Sequence, residues 1–317
     1  MNRAAIFAVV ISLIVCALPA GSQAGSLRAW GLNSNGQCDV PEGNDFVAVA
    51  AGSFHSLALR SDGSLAAWGV NDDGQCDVPA GDDFVAVAAG SFYSVALKAD
   101  GSLVAWGGNF GHACDVPNGH DFVAVSTFDS TGLALKRDGS LSIWGSWSDD
   151  PPAGNMFVEI ANGRAHGLAL TRWGELVAWG DNDYGECDVP PGYDFTAIGM
   201  GGPHGLALRA DGSLVAWGQD EHGQLDVPSG NDFVGISGGG FHSLALKSDG
   251  SVVAWGANNY GQCDVPPGND YLTISAGLFH NLAIVPEPST LAGLLTLATA
   301  ALLWHAHRRR RKIRAIR

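Results

Sequence analysis

Histidine is the residue type in this chain best suited to proton transfer, and it recurs at one fixed position. Five histidines share equivalent places in a repeated segment: His55, His166, His204, His242 and His280. An enzyme needs a general acid or base once, beside a defined partner. A residue repeated in most copies serves the scaffold instead. We therefore interpret these histidines as structural groups that hydrogen-bond from a strand end to a neighbouring backbone.

Aspartates also recur at fixed positions, before Val-Pro and before the aromatic residue that opens the next segment. Asp favours such turns because its side chain accepts hydrogen bonds from nearby backbone N–H groups. Less regular acidic loops lie at Asp72-Asp73, Asp149-Asp150, Asp181 with Asp183, and Asp220-Glu221. They could hold calcium, but none has an EF-hand spacing, so solvated loops are the favoured interpretation. We predict no catalytic residue, no metal site and no cofactor.

Five cysteines share another repeat position, Cys38, Cys76, Cys114, Cys187 and Cys263, and Leu225 stands there in a sixth copy. Interchange of Cys with Leu indicates a site for a compact apolar side chain. Equivalent points on neighbouring repeats are normally too far apart for a disulfide, and the spacing is unlike a zinc pattern. Buried free thiols are the favoured interpretation, with a disulfide or metal left as the alternative.

The elements that must position these residues repeat with a Trp-Gly pair. Its tryptophans are Trp30, Trp68, Trp106, Trp144, Trp179, Trp217 and Trp255, at spacings of 38, 38, 38, 35, 38 and 38 residues. A fixed period in this range indicates one supersecondary unit copied along the chain. Each unit contains three short apolar segments that read as strands, and strands apolar on both faces must be covered on both.

Hairpins with Asp-Gly or a related pair join each Leu-Ala-Leu strand to the next Trp strand, since Gly supplies the positive φ of the turn. This pairing leaves the first Trp strand, 26–31, and the last strand, 280–284, without partners. If they pair with each other, the array closes and no sheet edge is exposed. The sequence thus predicts an all-β, seven-bladed β-propeller over residues 25–285, closed by its N- and C-terminal strands.

The repeat unit Trp-Gly-x-Asn-x-x-Gly-Gln, followed by Ala-Gly-x-x-His-Ser-Leu-Ala-Leu-x-x-Asp-Gly, resembles that of the regulator of chromosome condensation family. That resemblance implies a seven-bladed propeller. The short period and the Val-Pro after Gly-Gln resemble a bacterial secreted branch of the family, which includes the propeller-type β-lactamase inhibitory protein. The match covers about 260 residues, but propellers host many unrelated roles.

The two ends of the chain differ from the repeats. Residues 1–24 read as a secretory signal peptide, with Arg3 before an apolar run and small residues at the cleavage site. Residues 286–317 combine Pro286, Glu287 and Pro288 with an apolar run and an arginine cluster. This order resembles the PEP-CTERM sorting signal, which implies an exosortase-type processing enzyme as a partner. We expect a C-terminal transmembrane helix that transiently anchors the protein in the inner membrane, with an ordinary anchor as the alternative.

Charge excludes one class of partner. Residues 25–285 hold nine basic and 31 acidic residues, and so negative a surface repels phosphate backbones. We therefore expect no nucleic-acid binding.

Specificity should lie where the copies differ. The residue before the repeat histidine is Phe54, Phe92, Phe241 or Phe279 in four contiguous blades, and Ser130, Ala165 or Pro203 in the others. Such an aromatic arc suits a protein or a glycan ligand, although the rings could instead plug the mouth of the central channel or pack between blades. The irregular segment 143–152 adds Trp147 and lies beside the irregular residues Phe128 to Thr131. Together they indicate a binding notch, with relaxed selection in a redundant array as the alternative.

The preferred hypothesis is a non-enzymatic binding propeller, exported to the outer cell surface or the exopolysaccharide matrix, that binds a protein or a glycan on one ring face. The alternatives are a polysaccharide-acting enzyme with its site at the channel mouth and a passive matrix component. The ligand, the oligomeric state and tail cleavage stay open.

Overall fold

The computed structural model describes residues 24–146 and 149–287. The chain divides into two compact units, Met1–Val285 and Pro286–Arg317, and every strand described below lies in the first. Trp147, Pro288 and nearly all of the predicted signal peptide and membrane helix lie outside the described residues. Within the described ranges, no helix is long and apolar enough to cross a membrane.

The described ranges form 21 strands in seven three-stranded antiparallel sheets, the blades. The inner strands are β2 (Phe46–Ala51), β5 (Phe84–Ala89), β8 (Phe122–Phe128), β11 (Phe157–Asn162), β14 (Phe195–Met200), β17 (Phe233–Gly238) and β20 (Thr273–Ala276). The middle strands are β3 (His55–Arg60), β6 (Tyr93–Lys98), β9 (Thr131–Lys136), β12 (His166–Thr171), β15 (His204–Arg209), β18 (His242–Lys247) and β21 (His280–Val285). The outer strands are β4 (Leu65–Gly69), β7 (Leu103–Gly107), β10 (Leu141–Gly145), β13 (Leu176–Gly180), β16 (Leu214–Gly218), β19 (Val252–Gly256) and β1 (Ser26–Gly31). Blade 1 is β2-β3-β4, and the numbering follows the chain to blade 7.

Blade 7 joins the two ends of the repeat array, as the sequence predicted. Its order is β20-β21-β1, and β1 pairs antiparallel with β21 so that Trp30 lies opposite Asn281. A bridge from Gly25 to Phe46 ties the first residues to blade 1. Closure satisfies the backbone groups that an open edge would leave exposed.

The repeat tryptophans fasten one blade to the next. In six of the seven blades, the loop after the preceding outer strand reaches over the blade, and a main-chain oxygen of that loop accepts the indole N–H; for example, Trp68 Nε1 donates to Gln37 O at 2.9 Å and Trp255 Nε1 to Gln224 O at 2.9 Å. Between the blades, Phe46 and Leu57 are fully buried. Burial of each such side chain is worth about 1.5–3 kcal/mol. Contacts between blades therefore contribute to the cooperative stability of the ring as well as contacts within each blade.

The hairpins between middle and outer strands require their glycines. Gly63 has φ of 86°, and a Cβ there would lie 2.0 Å from Asp82 O. The Asp62 carboxylate accepts the backbone N–H and the hydroxyl of Ser64. These turns lie at one end of the ring, the hairpin face, whereas the middle strands begin at the opposite end, the mouth face.

A narrow channel of about 110 Å³ runs between the inner strands. It is lined largely by small residues, such as Ala50, Ala88 and Gly199. It opens on the mouth face.

Candidate binding site at the channel mouth

The channel mouth is framed by the position two residues before each middle strand. In ring order this position holds Ser53, Ser91, Asp129, Arg164, Gly202, Gly240 and Leu278. At six of these positions the amide N–H donates to a carbonyl of the next blade, for example Ser53 N to Gly90 O at 3.2 Å and Leu278 N to Gly52 O at 3.1 Å. The backbone of the mouth is therefore a fixed collar, and its side chains vary from blade to blade.

The collar positions differ in the size of side chain that they can accommodate. A Cβ at Gly202 would lie 2.7 Å from Gly240 O, and one at Gly240 would lie 2.5 Å from Leu278 Cδ1. Blades 5, 6 and 7 thus approach one another too closely for larger residues at these two positions. Asp129 instead takes φ of 49°, uncommon for a residue other than glycine, and the preceding Phe128 replaces the repeat glycine.

A cleft of about 700 Å³ opens on this face. Its lining combines aromatic and charged side chains: Phe128, Asp129, Arg164, Asp181, Tyr184, Glu221, His222, Phe241 and Phe279. Clefts of this size that carry a few polar groups are typical ligand sites. The cleft is the candidate functional site of the described part of the chain.

The four phenylalanines predicted from the sequence lie in two separate places on the mouth face. Phe241 and Phe279 line the cleft, whereas Phe54 and Phe92 are not among its lining residues. Phe54 contacts Phe279, with ring centroids 6.1 Å apart. Phe92 pairs with Phe110 at 5.7 Å, in a separate patch on blade 2.

Three aromatic residues that the sequence analysis missed complete the surface. Tyr184, His222 and Tyr260 precede the repeat glycine in the loops after outer strands, where other copies have Asn35, Asp73 or Gly111. The His222 ring lies 5.3 Å from Phe241, and Tyr260 lies 5.2 Å from Phe279. Tyr184 is 57% exposed and Tyr260 49%. We call the resulting curved surface the aromatic wall: Tyr184, His222, Phe241, Tyr260, Phe279 and Phe54.

The wall has a gap at blades 3 and 4. Small residues, Ser130 and Ala165, stand there in place of phenylalanine, and the collar carries Asp129 and Arg164. Phe128 and Asp129 of the predicted notch line the cleft at this gap, whereas Trp147 lies outside the described residues, so that the notch stays a prediction. Four residues of the wall, Tyr184, His222, Phe241 and Phe279, line the cleft together with the charged residues of the gap.

The repeat histidines form a structural belt between blades. The Nε2 of His55 lies 3.0 Å from Ser94 Oγ in the next blade, and the Ser94 hydroxyl donates its proton to Gln75 O at 2.8 Å. Nε2 must then carry a proton, so the imidazole donates to the Ser94 hydroxyl. The same contact joins His204 to Ser243 and His242 to Asn281.

This geometry corrects one detail of the sequence analysis. Four of the five histidines, all but His166, bond a side chain of the next blade rather than its backbone, because the middle strand of that blade presents Ser or Asn at the required height. Burial lowers the pKa of His55, His166 and His242 to about 4, and that of His204 and His280 to about 3. With these lowered pKa values the five imidazoles stay neutral near pH 7, which agrees with a structural role for the belt.

The five repeat cysteines described are free thiols. They are half-buried rather than fully buried, and each S–H donates to a carbonyl of its own loop, as Cys76 Sγ does to Val70 O at 3.2 Å. Within residues 24–146 and 149–287, no group of three or more His, Cys, Asp or Glu side chains could hold a metal ion.

Comparison with known families identifies the repeat. Residues 46–75, 84–111, 157–186, 195–224 and 233–262 match the Regulator of chromosome condensation (RCC1) repeat. Each matched segment runs from an inner strand through its blade into the loop that reaches the next one. The chain is an RCC1-like propeller.

Solved structures with the same fold support this. Prp20p from Saccharomyces cerevisiae, described with its binding to Gsp1p and histones, superposes with a TM-score of 0.72 at 17% identity over 88% of this chain and 96% of that one. Human WBSCR16 gives 0.67 at 15% identity, over 84% of this chain and 100% of that one. The ectodomain of the Physcomitrella patens receptor kinase CR4 gives 0.63 at 21% identity, over 73% and 68%. At these identities the likeness establishes the fold alone. None of the curated proteins compared with the sequence matches it.

Proposed function

We propose that this RCC1-like propeller is a non-enzymatic, exported binding protein that holds a protein partner in the channel-mouth cleft. The observation that carries the proposal is the aromatic wall beside a cleft of about 700 Å³. Aromatic side chains in a concave patch are the groups that dominate binding energy at protein interfaces. A binding role also agrees with Prp20p, which binds protein partners.

Export rests on the sequence of the two ends. The signal-like residues 1–24 and the tail 286–317 favour delivery to the outer cell surface or extracellular matrix, with processing by an exosortase-type enzyme and a transient membrane anchor. Display at the envelope puts the mouth face in reach of partners there. The aromatic arc of the β-lactamase inhibitory relative, which faces its partner, points the same way by resemblance.

A glycan is the second candidate ligand. Tyr184 and Tyr260 present exposed rings on which a sugar could stack, and Gln219 and Glu221 line the cleft beside Tyr184. Stacking of this kind depends on the exposed ring faces. Loss of binding after enzymatic removal of glycans from the envelope extract would select this candidate over a protein.

The test is capture from envelope extract by the full chain with matched variants. Tyr184→Ser with Tyr260→Ser removes exposed rings from the mouth face. Trp173→Ser with Tyr193→Ser removes rings that are 58% and 71% exposed at the hairpin face. We expect the mouth pair to lose the captured partner and the hairpin pair to keep it. Equal capture by both would overturn the proposal.

A further inference from the structure

A repeated cluster on the hairpin face shows how this propeller places cations. In six blades a Lys or Arg lies over the aromatic ring at or just before the start of the inner strand and pairs with the Asp before that ring. For example, Arg60 Cζ lies 4.4 Å from the centroid of the Phe46 ring, and Arg60 Nη1 lies 2.6 Å from Asp45 Oδ1. The other clusters are Arg28–Asp270–Tyr271, Lys98–Asp83–Phe84, Lys136–Asp121–Phe122, Arg209–Asp194–Phe195 and Lys247–Asp232–Phe233.

The channel-mouth cleft has aromatic rings and carboxylates like those of the hairpin-face clusters, but no Lys or Arg side chain is paired with them in the described ranges. On one side Glu221 adjoins His222, whose ring packs against Phe241. On the other, Asp181 lies in the same loop as exposed Tyr184. Asp181 and Glu221 are exposed, and neither forms an ion pair with any residue of the described ranges. Rings and carboxylates together attract a guanidinium or an ammonium group.

Arg164 does not supply that cation. It is the one Lys or Arg among the described residues that line the cleft. Its side chain is exposed, and within the described ranges it forms no ion pair and lies over no aromatic ring. Asp129, Asp181 and Glu221 outnumber it along the lining, within a ring that carries nine basic and 31 acidic residues. The local and the overall charge therefore favour the same sign of ligand.

From this we infer that the cleft takes a basic segment of the partner protein, whose Arg or Lys side chains lie against the aromatic wall and pair with Asp181 and Glu221. Charge complementarity selects this occupant over an acidic one. Arg164 opposes a basic ligand, and its position at the gap steers the segment toward the wall. The assignment depends on the proposed function, since it names the class of partner for the same face.

Fluorescence anisotropy of a labelled arginine–glycine peptide with the full chain provides the test. A glutamate–glycine peptide of equal length is the ligand control. Asp181→Asn with Glu221→Gln removes the cleft charges while keeping the side-chain shapes. Asp72→Asn with Asp82→Asn removes two exposed charges outside the cleft lining and is the matched control, and thermal unfolding verifies that every variant is folded.

We expect the basic peptide to bind and the acidic peptide not to bind. The double variant Asp181→Asn with Glu221→Gln should weaken binding about tenfold, as expected for two lost ion pairs in a partly desolvated site. The control double variant, Asp72→Asn with Asp82→Asn, should weaken it by less than about twofold. Arg164→Ala should strengthen binding, because it removes a repelling charge. Equal weakening in both pairs, or weaker binding in Arg164→Ala, would overturn the assignment of a basic segment.

The two proposals fail in different ways. If the tyrosine variants lose the envelope partner but the charge variants bind as the wild type does, the face binds a partner that is not basic. If the tyrosine variants retain the partner, the mouth face is not the binding face at all.

Discussion

The Nε2 of His280 lies 2.9 Å from the Oγ of Ser56, although the two residues are 224 positions apart in the chain. His280 begins β21 in the closing blade, and Ser56 lies in blade 1. The Ser56 hydroxyl donates to Gln37 O at 2.8 Å, so His280 must donate its Nε2 proton. The contact that joins adjacent blades elsewhere thus also spans the closure of the ring.

Acid should weaken the ring through these histidines. The native state binds their protons only near pH 4 or 3, whereas the unfolded chain binds them near pH 6.5. The unfolded state therefore holds more protons in this window, so stability is complete above pH 6.5 and falls as pH drops toward 4. We expect the free energy of unfolding to fall by at least about 3 kcal/mol between pH 7 and pH 4.

Urea unfolding at a series of pH values measures this slope. His280→Gln keeps an N–H that can reach Ser56 and does not titrate, so it should reduce the slope between pH 6.5 and 4.5, to which the other four histidines still contribute. His120→Asn alters an exposed histidine and is the control. A wild-type slope retained in His280→Gln would contradict the account of the belt.

Replacement of Gly205 by serine, the residue that the repeat pattern suggests, should destabilise the folded protein. It occupies the place of Ser56, Ser94 and Ser243, and His166 Nε2 consequently has no partner in the described ranges. A serine would seem to restore the bond, but a Cβ at Gly205 would lie 2.4 Å from the Trp217 ring. Because overpacking costs about 1–3 kcal/mol, Gly205→Ser should lower the unfolding free energy. An increase in denaturation midpoint would refute the packing argument, and Ser61→Ala, at a turn, is the control.

The repeat thiols should be unreactive in the folded protein. Partial burial and the adjacent aspartates raise the pKa of Cys38, Cys76 and Cys263 to about 11, so little thiolate forms at pH 8. Alkylation by iodoacetamide should be at least about tenfold slower for the native protein than for the chain in urea. Comparable native and unfolded rates would show that the thiols are more accessible than the structure indicates.

The sequence predicts the ring more fully than the site. The period of the tryptophans, together with one unpaired strand at each end, is enough to predict the pairing of Trp30 with the segment around Asn281. The partner of His280 could not be predicted, because the height of Ser56 on the neighbouring blade depends on the stagger between blades. Trp147 and the membrane helix stay predictions, since both lie outside the described residues.

The aromatic wall shows why the site was only partly predicted. Phe54, Phe241 and Phe279 share one repeat position and could be found by comparing copies. Tyr184, His222 and Tyr260 vary in the same manner, but their contact with the phenylalanines arises because each loop reaches over the following blade. That geometry places two distant repeat positions side by side, and no spacing along the chain shows it.

Site-specific photocrosslinking tests the central claim, that the mouth face is where the partner binds, most directly. Benzoylphenylalanine would replace Tyr260 on the aromatic wall or, in a separate variant, Tyr193 on the hairpin face, and each full-length variant would be irradiated in envelope extract. The account predicts a discrete crosslinked protein from position 260 and none from position 193. A crosslink from position 193 alone would contradict it.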